Sequence, residues 1–215
     1  MTLEQVLAVG KVVLPFVSAT ILWLDHRRSP PRTIWLVVQM LLAASVECYA
    51  AYLASGGSNN LWVYNWYVPL EFVLLLLFIG PGMTGLRWKI TIALVAVAFV
   101  GLWWADIHIC TPQQRFVSST YIVGAMFLTA MFVAHLVRLS VHADVPLIHQ
   151  PMFWNCLGHV FFFAGMIPTL GLLNVMNERD PDLADKLYRV NDVLFFLRYG
   201  LISYSPFMAV QRSSF

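Results

Sequence analysis

Long apolar runs separated by short polar segments dominate the chain. A helix needs about 20 mostly apolar residues to cross the hydrocarbon layer of a bilayer, and the polar segments are rich in Pro, Gly, Asn and charged residues that end helices. The pattern predicts an all-α fold in which residues 1–215 form a single domain, a seven-transmembrane-helix bundle. The predicted spans lie near residues 3–24, 33–54, 62–80, 89–106, 116–139, 151–175 and 188–210.

Composition narrows the class of protein. The chain is 60% hydrophobic and 11% charged, whereas soluble domains carry about 25% charged residues. So few charges cannot cover the surface of a soluble protein of this size. A net charge of +2 without a long basic run argues against nucleic-acid binding. We therefore expect a polytopic membrane protein whose surroundings are the lipid bilayer, with no nucleic-acid partner.

Lys and Arg side chains near the span ends indicate the orientation, because cytoplasmic loops carry an excess of them. One side of the predicted bundle carries seven and the other carries four, three of which share a loop with four acidic residues. This bias predicts that the N-terminus lies outside and the C-terminus lies in the cytoplasm. The seven are Arg27, Arg28, Arg32, Arg87, Lys89, Arg138 and Arg212.

Tryptophan prefers the headgroup level of a membrane, and the predicted spans place every Trp near an interface. No Trp falls at a predicted midplane, which favours this assignment of spans. The inner set is Trp23, Trp35, Trp88 and Trp154, and the outer set is Trp62, Trp66, Trp103 and Trp104.

Four ionisable side chains fall deep within the predicted spans: Glu47, Glu71, His159 and Arg198. Placing such groups in a bilayer costs much free energy, so they usually face the bundle interior or a water-filled cavity. Arg198, near the centre of the seventh span, is expected to pair with Glu71 or with Glu47. Such a pair acts either as a structural lock between helices or as part of a polar binding cavity, and the sequence leaves both readings open.

Helical spacing places further polar residues on the same helix faces as these groups. Tyr64, Tyr67 and Glu71 share one face of the third span, and Asn155 and His159 are i, i+4 neighbours on the sixth. We expect a polar cavity between spans two, three, six and seven. Its candidate ligand-binding residues are Glu47, Tyr64, Asn65, Tyr67, Glu71, Asn155, His159, Phe162 and Arg198.

Several kinds of chemistry are disfavoured. The seventh span has no lysine for a retinal Schiff base, and the motifs of zinc proteases, serine hydrolases and P-loop proteins are absent. Asp106, His108 and Cys110 alternate near the outer surface, but their spacing is not a recognised metal fingerprint. We therefore expect no metal and no cofactor.

Four other residues at membrane depth or near it are given structural interpretations. His135 is expected at the inner interface. Cys48 and Cys156 are expected as small buried apolar residues within the membrane. Lys11, in the outer half of the first span, is expected to extend its amine towards the headgroups, and the alternative is that it lines a cavity.

Two stretches resemble known proteins. Residues 60–72, NLWVYNWYVPLEF, and residues 151–154, PMFW, resemble bacterial seven-helix membrane proteins of unknown function and the membrane sensor regions of some histidine kinases. The resemblance implies a ligand-sensing module of a bacterial inner membrane, with Tyr64, Asn65, Tyr67 and Glu71 as motif positions. The 215 residues contain no kinase or other output domain, so a separate signalling partner is expected.

The favoured function is therefore a membrane sensor or receptor-like module that binds a small or lipid-like molecule. The first alternative is a membrane-embedded enzyme acting on a lipid, with Glu71 or His159 as the acid or base. The second is a scaffold in which the Glu–Arg pair is only a structural lock. Whether the protein is an enzyme stays open at this point.

Overall fold

The computed structural model describes residues 3–25, 31–80, 85–110, 116–141 and 145–211. Within these ranges the chain is all helical apart from turns, and it forms seven long helices. The predicted all-α helical bundle is therefore confirmed. The helices are α1 (Leu3–Leu24), α2 (Thr33–Ser55), α3 (Leu61–Ile79), α4 (Leu86–Ala105), α5 (Ser118–Val141), α6 (Pro151–Arg179) and α7 (Pro181–Gln211).

The main departure from the predicted boundaries lies between α6 and α7. Residues 176–187 are predicted as a polar connection, but the two helices are separated only by Asp180. The Asp180 side chain accepts a hydrogen bond from the backbone N–H of Leu183 at 3.1 Å, as the residue before a helix commonly does. Pro181 follows as the first helical residue, where its fixed φ and missing N–H are tolerated. Polarity indicated a loop here, whereas the local cap starts a helix.

Five of the helices are long and apolar enough to cross a membrane: α2, α3, α4 with the following turn, α5 and α6. α4 continues into a π-helical turn, Asp106–Cys110. Among the described residues, α1 contributes the shorter apolar stretch Val9–Leu24, and α7 falls outside the set of five. These helices support an integral membrane protein.

The helices pack as a ring with one outlier. Contacts run from α1 to α2, α2 to α3, α3 to α5, α5 to α6, α6 to α7 and from α7 back to α1. α4 lies outside this ring against α3 and α5. Its Phe99 stacks on Phe72 of α3 with ring centroids 3.7 Å apart. Gly124 of α5 leaves room for this stack, because a Cβ there would lie 2.6 Å from the Phe99 ring.

One end of the bundle, here called the arginine-rich end, is where α2, α4 and α6 begin and α1, α3 and α5 end. It carries Arg32, Arg87, Lys89 and Arg138. Trp residues predicted at the two interfaces are mostly exposed on the helix surfaces. Trp103 is different, because it is 4% exposed and its indole donates to the Asn65 carbonyl oxygen at 2.8 Å. Trp103 therefore faces the protein interior, and its depth in the membrane stays a prediction.

Candidate functional site

A buried ion pair joins α3 to α7 in the middle of the bundle. The Arg198 Nη1 atom donates to Glu71 Oε1 at 2.7 Å. Arg198 is 1% exposed and Glu71 is 4% exposed. The predicted pairing of Arg198 with Glu71 is thus confirmed.

Two further side chains donate to the same carboxylate oxygen. Gln39 Nε2 donates to Glu71 Oε1 at 3.1 Å and to the Tyr67 hydroxyl oxygen at 2.7 Å. The Tyr67 hydroxyl donates to Glu71 Oε1 at 3.1 Å. Gln39, Tyr67, Glu71 and Arg198 are called the central polar cluster below. It links α2, α3 and α7 through one oxygen atom.

Gln39 is absent from the residues predicted from sequence. A signal was available, because Gln39 lies four positions before Ala43 and eight before Glu47, on the same helical face. An uncharged amide in an apolar run is a weaker indication of a functional site than a carboxylate. Its 0% exposure and its two hydrogen bonds show that it belongs to the site.

Aromatic rings surround the Arg198 guanidinium. Its Cζ atom lies 4.6 Å from the ring centroid of Phe162, 5.2 Å from that of Phe163 and 5.3 Å from that of Tyr199. Such contacts stabilise a desolvated cation through the negative faces of the rings. Phe162, one of the predicted ligand-binding residues, thus lies beside Arg198.

The guanidinium uses only part of its hydrogen-bonding capacity. Nη1 is taken by Glu71, whereas Nε and Nη2 are buried and have no hydrogen-bond partner. Guanidinium groups present their donors in a planar fork that matches two acceptor oxygens. The Nε–Nη2 edge of Arg198 is therefore an uncommitted donor pair in the bundle interior.

His159 of α6 adds an acceptor. Its Nδ1 atom lies 2.7 Å from the carbonyl oxygen of Asn155. Since a carbonyl only accepts, this contact assigns the proton of a neutral ring to Nδ1 and leaves Nε2 as an acceptor. Nε2 is buried without a partner, as is the side-chain Oδ1 of Asn155. The ring stacks on Phe132 of α5 at 4.6 Å between centroids.

The bundle interior thus contains several buried polar atoms that the protein leaves unpaired. Each such atom costs about 1–3 kcal/mol when it is desolvated without a partner, and native interiors contain few of them. Their concentration on α2, α6 and α7 is typical of a site that accepts polar atoms from another molecule. They are Gln39 Oε1, Asn155 Oδ1, His159 Nε2, Arg198 Nε, Arg198 Nη2 and Ser205 Oγ.

Two of the predicted site residues form a separate group. The Tyr64 hydroxyl donates to Glu47 Oε2 at 3.1 Å, and Glu47 is half-buried. An ion pair between Lys11 of α1 and Asp192 of α7 lies within electrostatic range of Glu47. Lys11 therefore contacts a neighbouring helix, and the extension of its amine towards the headgroups stays a prediction. This group ties α1 to α7 and α2 to α3.

Asn65 connects helices at another place. Its Oδ1 accepts the backbone N–H of Val117 at 3.1 Å, just before α5, while its carbonyl oxygen accepts the Trp103 indole. Nearby, Asp106 Oδ2 accepts both the backbone N–H and the hydroxyl of Thr120. These contacts hold α3, α4 and α5 together. They do not join Asn65 to the central polar cluster.

Three residues with structural interpretations have mixed outcomes. Cys156 is buried as predicted, but Cys48 is exposed on the outside of the bundle, so the prediction for Cys48 is wrong. Successive side chains of a helix point in different directions around its axis. Cys48 of α2 therefore faces outward although Glu47, the residue before it, faces inward. His135 lies near the end of α5 but is 3% exposed. It is enclosed by protein rather than exposed at an interface.

Among the described residues, no three His, Cys, Asp or Glu side chains come close enough together to hold a metal ion. The ring of His108 instead lies 4.9 Å from that of Trp104. Comparisons of the chain with protein-family models, with curated proteins and with solved structures gave no match.

Proposed function

We propose that all seven helices cross a membrane and that the bundle is a sensor or receptor-like module for a small, lipid-like molecule. The ligand binds between α2, α3, α6 and α7, at the central polar cluster. The observation that carries this proposal is the Nε–Nη2 edge of Arg198, which is buried and unpartnered beside a satisfied Nη1. A purely structural lock needs Nη1 alone and gains nothing from leaving two buried donors unpaired.

The unpaired atoms indicate the chemistry of the ligand. The Arg198 edge donates, whereas His159 Nε2 and Gln39 Oε1 accept. Because Glu71 already neutralises Arg198, an anionic ligand would add an uncompensated charge to the interior, at a large desolvation cost. A neutral molecule with a carbonyl oxygen and a hydroxyl group fits better. Phe162 and Phe163 supply apolar surface for the rest of it.

The same geometry suggests how binding changes the protein. The Arg198–Glu71 bond is a direct link between α7 and α3. A ligand oxygen that binds the guanidinium changes how the guanidinium is oriented towards Glu71. Binding thereby shifts the equilibrium between arrangements of α3 and α7. We propose that a separate signalling protein reads this shift. The resemblance to bacterial sensor regions supports that role and a bacterial inner membrane as the location.

The test is native mass spectrometry of protein purified in a mild detergent. The wild type should retain a small molecule. His159→Phe should lose it, because this change removes the Nε2 acceptor while keeping a ring against Phe132. Asp192→Asn is the control, because it neutralises a carboxylate of α7 outside the central polar cluster. Equal retention by the His159→Phe variant would contradict the proposed site.

The same experiment separates the rival functions. Glu71→Gln should also abolish retention, and circular dichroism must show that this variant keeps its helices. If the wild type instead converts a component of a lipid extract, and Glu71→Gln abolishes the conversion, the protein is an enzyme. If the wild type shows neither retention nor turnover, the scaffold with a Glu–Arg lock is favoured.

A further inference from the structure

The buried polar atoms near the central polar cluster include more unpaired acceptors than the Arg198 edge alone would suggest. Among the described residues, His159 Nε2, Asn155 Oδ1 and Gln39 Oε1 are buried acceptors without a hydrogen-bond partner. His159 and Asn155 are one helical turn apart on α6, and His159 Nδ1 lies 2.7 Å from the Asn155 carbonyl oxygen. A molecule that satisfies these atoms must therefore bring hydrogen-bond donors of its own.

Aromatic rings enclose both the donor edge and the acceptors. The ring of Phe163 is common to the two, because its centroid lies 5.2 Å from Arg198 Cζ and 6.2 Å from the His159 ring centroid. Phe162 lies 4.6 Å from Arg198 Cζ, and Phe132 stacks on His159 at 4.6 Å with 16° between the ring planes. All three phenylalanines are buried. Flat rings pack well on such surfaces through stacked and edge-on contacts, so a planar ring suits this enclosure better than a glycerol backbone does.

We propose, building on the proposed sensor function, that this site binds the ring of a lipid-soluble hydroquinone more tightly than that of the corresponding quinone. A hydroquinone is a neutral, planar ring with two hydroxyl groups, and a quinone carries carbonyl oxygens in their place. In either form a ring oxygen accepts from the Nε–Nη2 edge of Arg198, since a hydroxyl oxygen accepts as a carbonyl oxygen does. Only the hydroquinone can also donate, to His159 Nε2 or Asn155 Oδ1.

The preference for the reduced ring comes from the acceptors of α6. A quinone would place a carbonyl oxygen against His159 Nε2, so two acceptors would face each other and both would stay unpaired. Sites built to bind a hydroxyl group discriminate against analogues that lack it, because the buried polar atoms of the site then have no partner. Other membrane enzymes interconvert the two forms, and this site selects one of them without transferring electrons itself. The ligand-bound fraction of the protein then follows the redox state of the quinones in the membrane.

Isothermal titration calorimetry of the protein in a maltoside detergent tests this preference. The probes are decylubiquinol kept reduced under argon, decylubiquinone, and dioctanoylglycerol. Decylubiquinol should bind about tenfold more tightly than decylubiquinone, the effect expected for one buried acceptor that loses its donor. Dioctanoylglycerol has a hydroxyl group and ester carbonyls but no ring, so it should bind more weakly than decylubiquinol.

His159→Phe keeps a ring against Phe132 and removes the Nε2 acceptor. The affinity for decylubiquinol should therefore fall about tenfold, towards that for decylubiquinone, which should change little. Asn155→Leu is a second variant in case His159→Phe does not fold, because it removes Oδ1 and leaves the backbone carbonyl that contacts His159. It should lower the ratio of the two affinities in the same direction. His108→Phe is the matched control, since His108 is exposed in the turn after α4, and it should keep the wild-type ratio.

Equal affinities of the wild type for the two redox forms would overturn the proposed preference. An unchanged ratio in both α6 variants, or binding of dioctanoylglycerol as tight as that of decylubiquinol, would also overturn it. If neither redox form binds while native mass spectrometry still finds a retained molecule of another class, the hydroquinone assignment fails and the sensor function stands. If neither form binds and no molecule is retained, both fail.

Discussion

Arg198 of α7 donates from Nη1 to Glu71 Oε1 of α3 across 2.7 Å of buried interior. The two residues are 127 positions apart in the chain, so only the folded bundle brings them together. A buried ion pair is not strong evidence for stability, because desolvation of both charges offsets their attraction. Removing one partner is different, because the other charge is left uncompensated.

Arg198→Met should lower the free energy of unfolding by about 3–5 kcal/mol, because Glu71 becomes a buried charge without its counter-ion. The double variant Arg198→Met with Glu71→Leu should recover more than half of that loss, since neither charge remains. Unfolding in mixed micelles, followed by circular dichroism, measures both effects. A double variant as unstable as the sum of the two single variants would show that the residues are not energetically coupled.

The approach of α6 to α7 beside the ion pair provides a second prediction. A Cβ at Gly158 would lie 2.9 Å from the Arg198 carbonyl oxygen, a backbone atom that cannot turn aside. Gly158→Ala should therefore lower the free energy of unfolding by about 1–3 kcal/mol through overpacking.

Gly171, in the same helix, is the matched control. A Cβ there meets nothing within 4 Å, so Gly171→Ala should raise the free energy of unfolding by about 0.5–1 kcal/mol through helix propensity. The same micelle unfolding experiment measures both variants. Stabilisation by both changes would show that α6 and α7 are not in close contact at Gly158.

The start of α7 depends on the side chain of Asp180, which accepts the Leu183 N–H. Asp180→Ala should destabilise the protein by about 1 kcal/mol and speed amide hydrogen exchange in the first turn of α7. Asp180→Asn should behave as the wild type, because asparagine caps helices equally well. Unchanged exchange in the alanine variant would mean that the cap does not hold this turn.

The charge bias predicts the direction of insertion. A reporter that functions only in the cytoplasm, fused after Phe215, should be active, and the same reporter placed after Ser58, between α2 and α3, should be inactive. Activity measured in intact cells distinguishes the two sides. The reverse pattern of activity would invert the orientation argued from Lys and Arg positions.

The local pattern of apolar and polar residues was sufficient to predict part of the structure. Runs of apolar residues predicted each helix, because crossing a membrane requires the backbone to satisfy its hydrogen bonds within one helix. It also indicated Glu71 or Glu47 as the partner of Arg198, because a charge at membrane depth needs an opposite charge nearby. The helix start at Pro181 was missed, since the polar residues around it are typical of loops as well as of capped helix ends.

Other features depended on the packing of distant segments. Apolar periodicity cannot show that α4 lies outside the ring or that Trp103 turns inward to Asn65. It also cannot show that Cys48 faces outward while Gln39 contacts Glu71. Nor can it show that Tyr67, Glu71 and Arg198 join the central polar cluster while Glu47 contacts Tyr64 and Asn65 contacts Val117. By itself, the sequence determined that helices form and which charges must be enclosed, because the bilayer imposes both requirements locally. The tertiary structure alone decided which atoms remain unpaired, because that depends on side chains contributed by several helices at once.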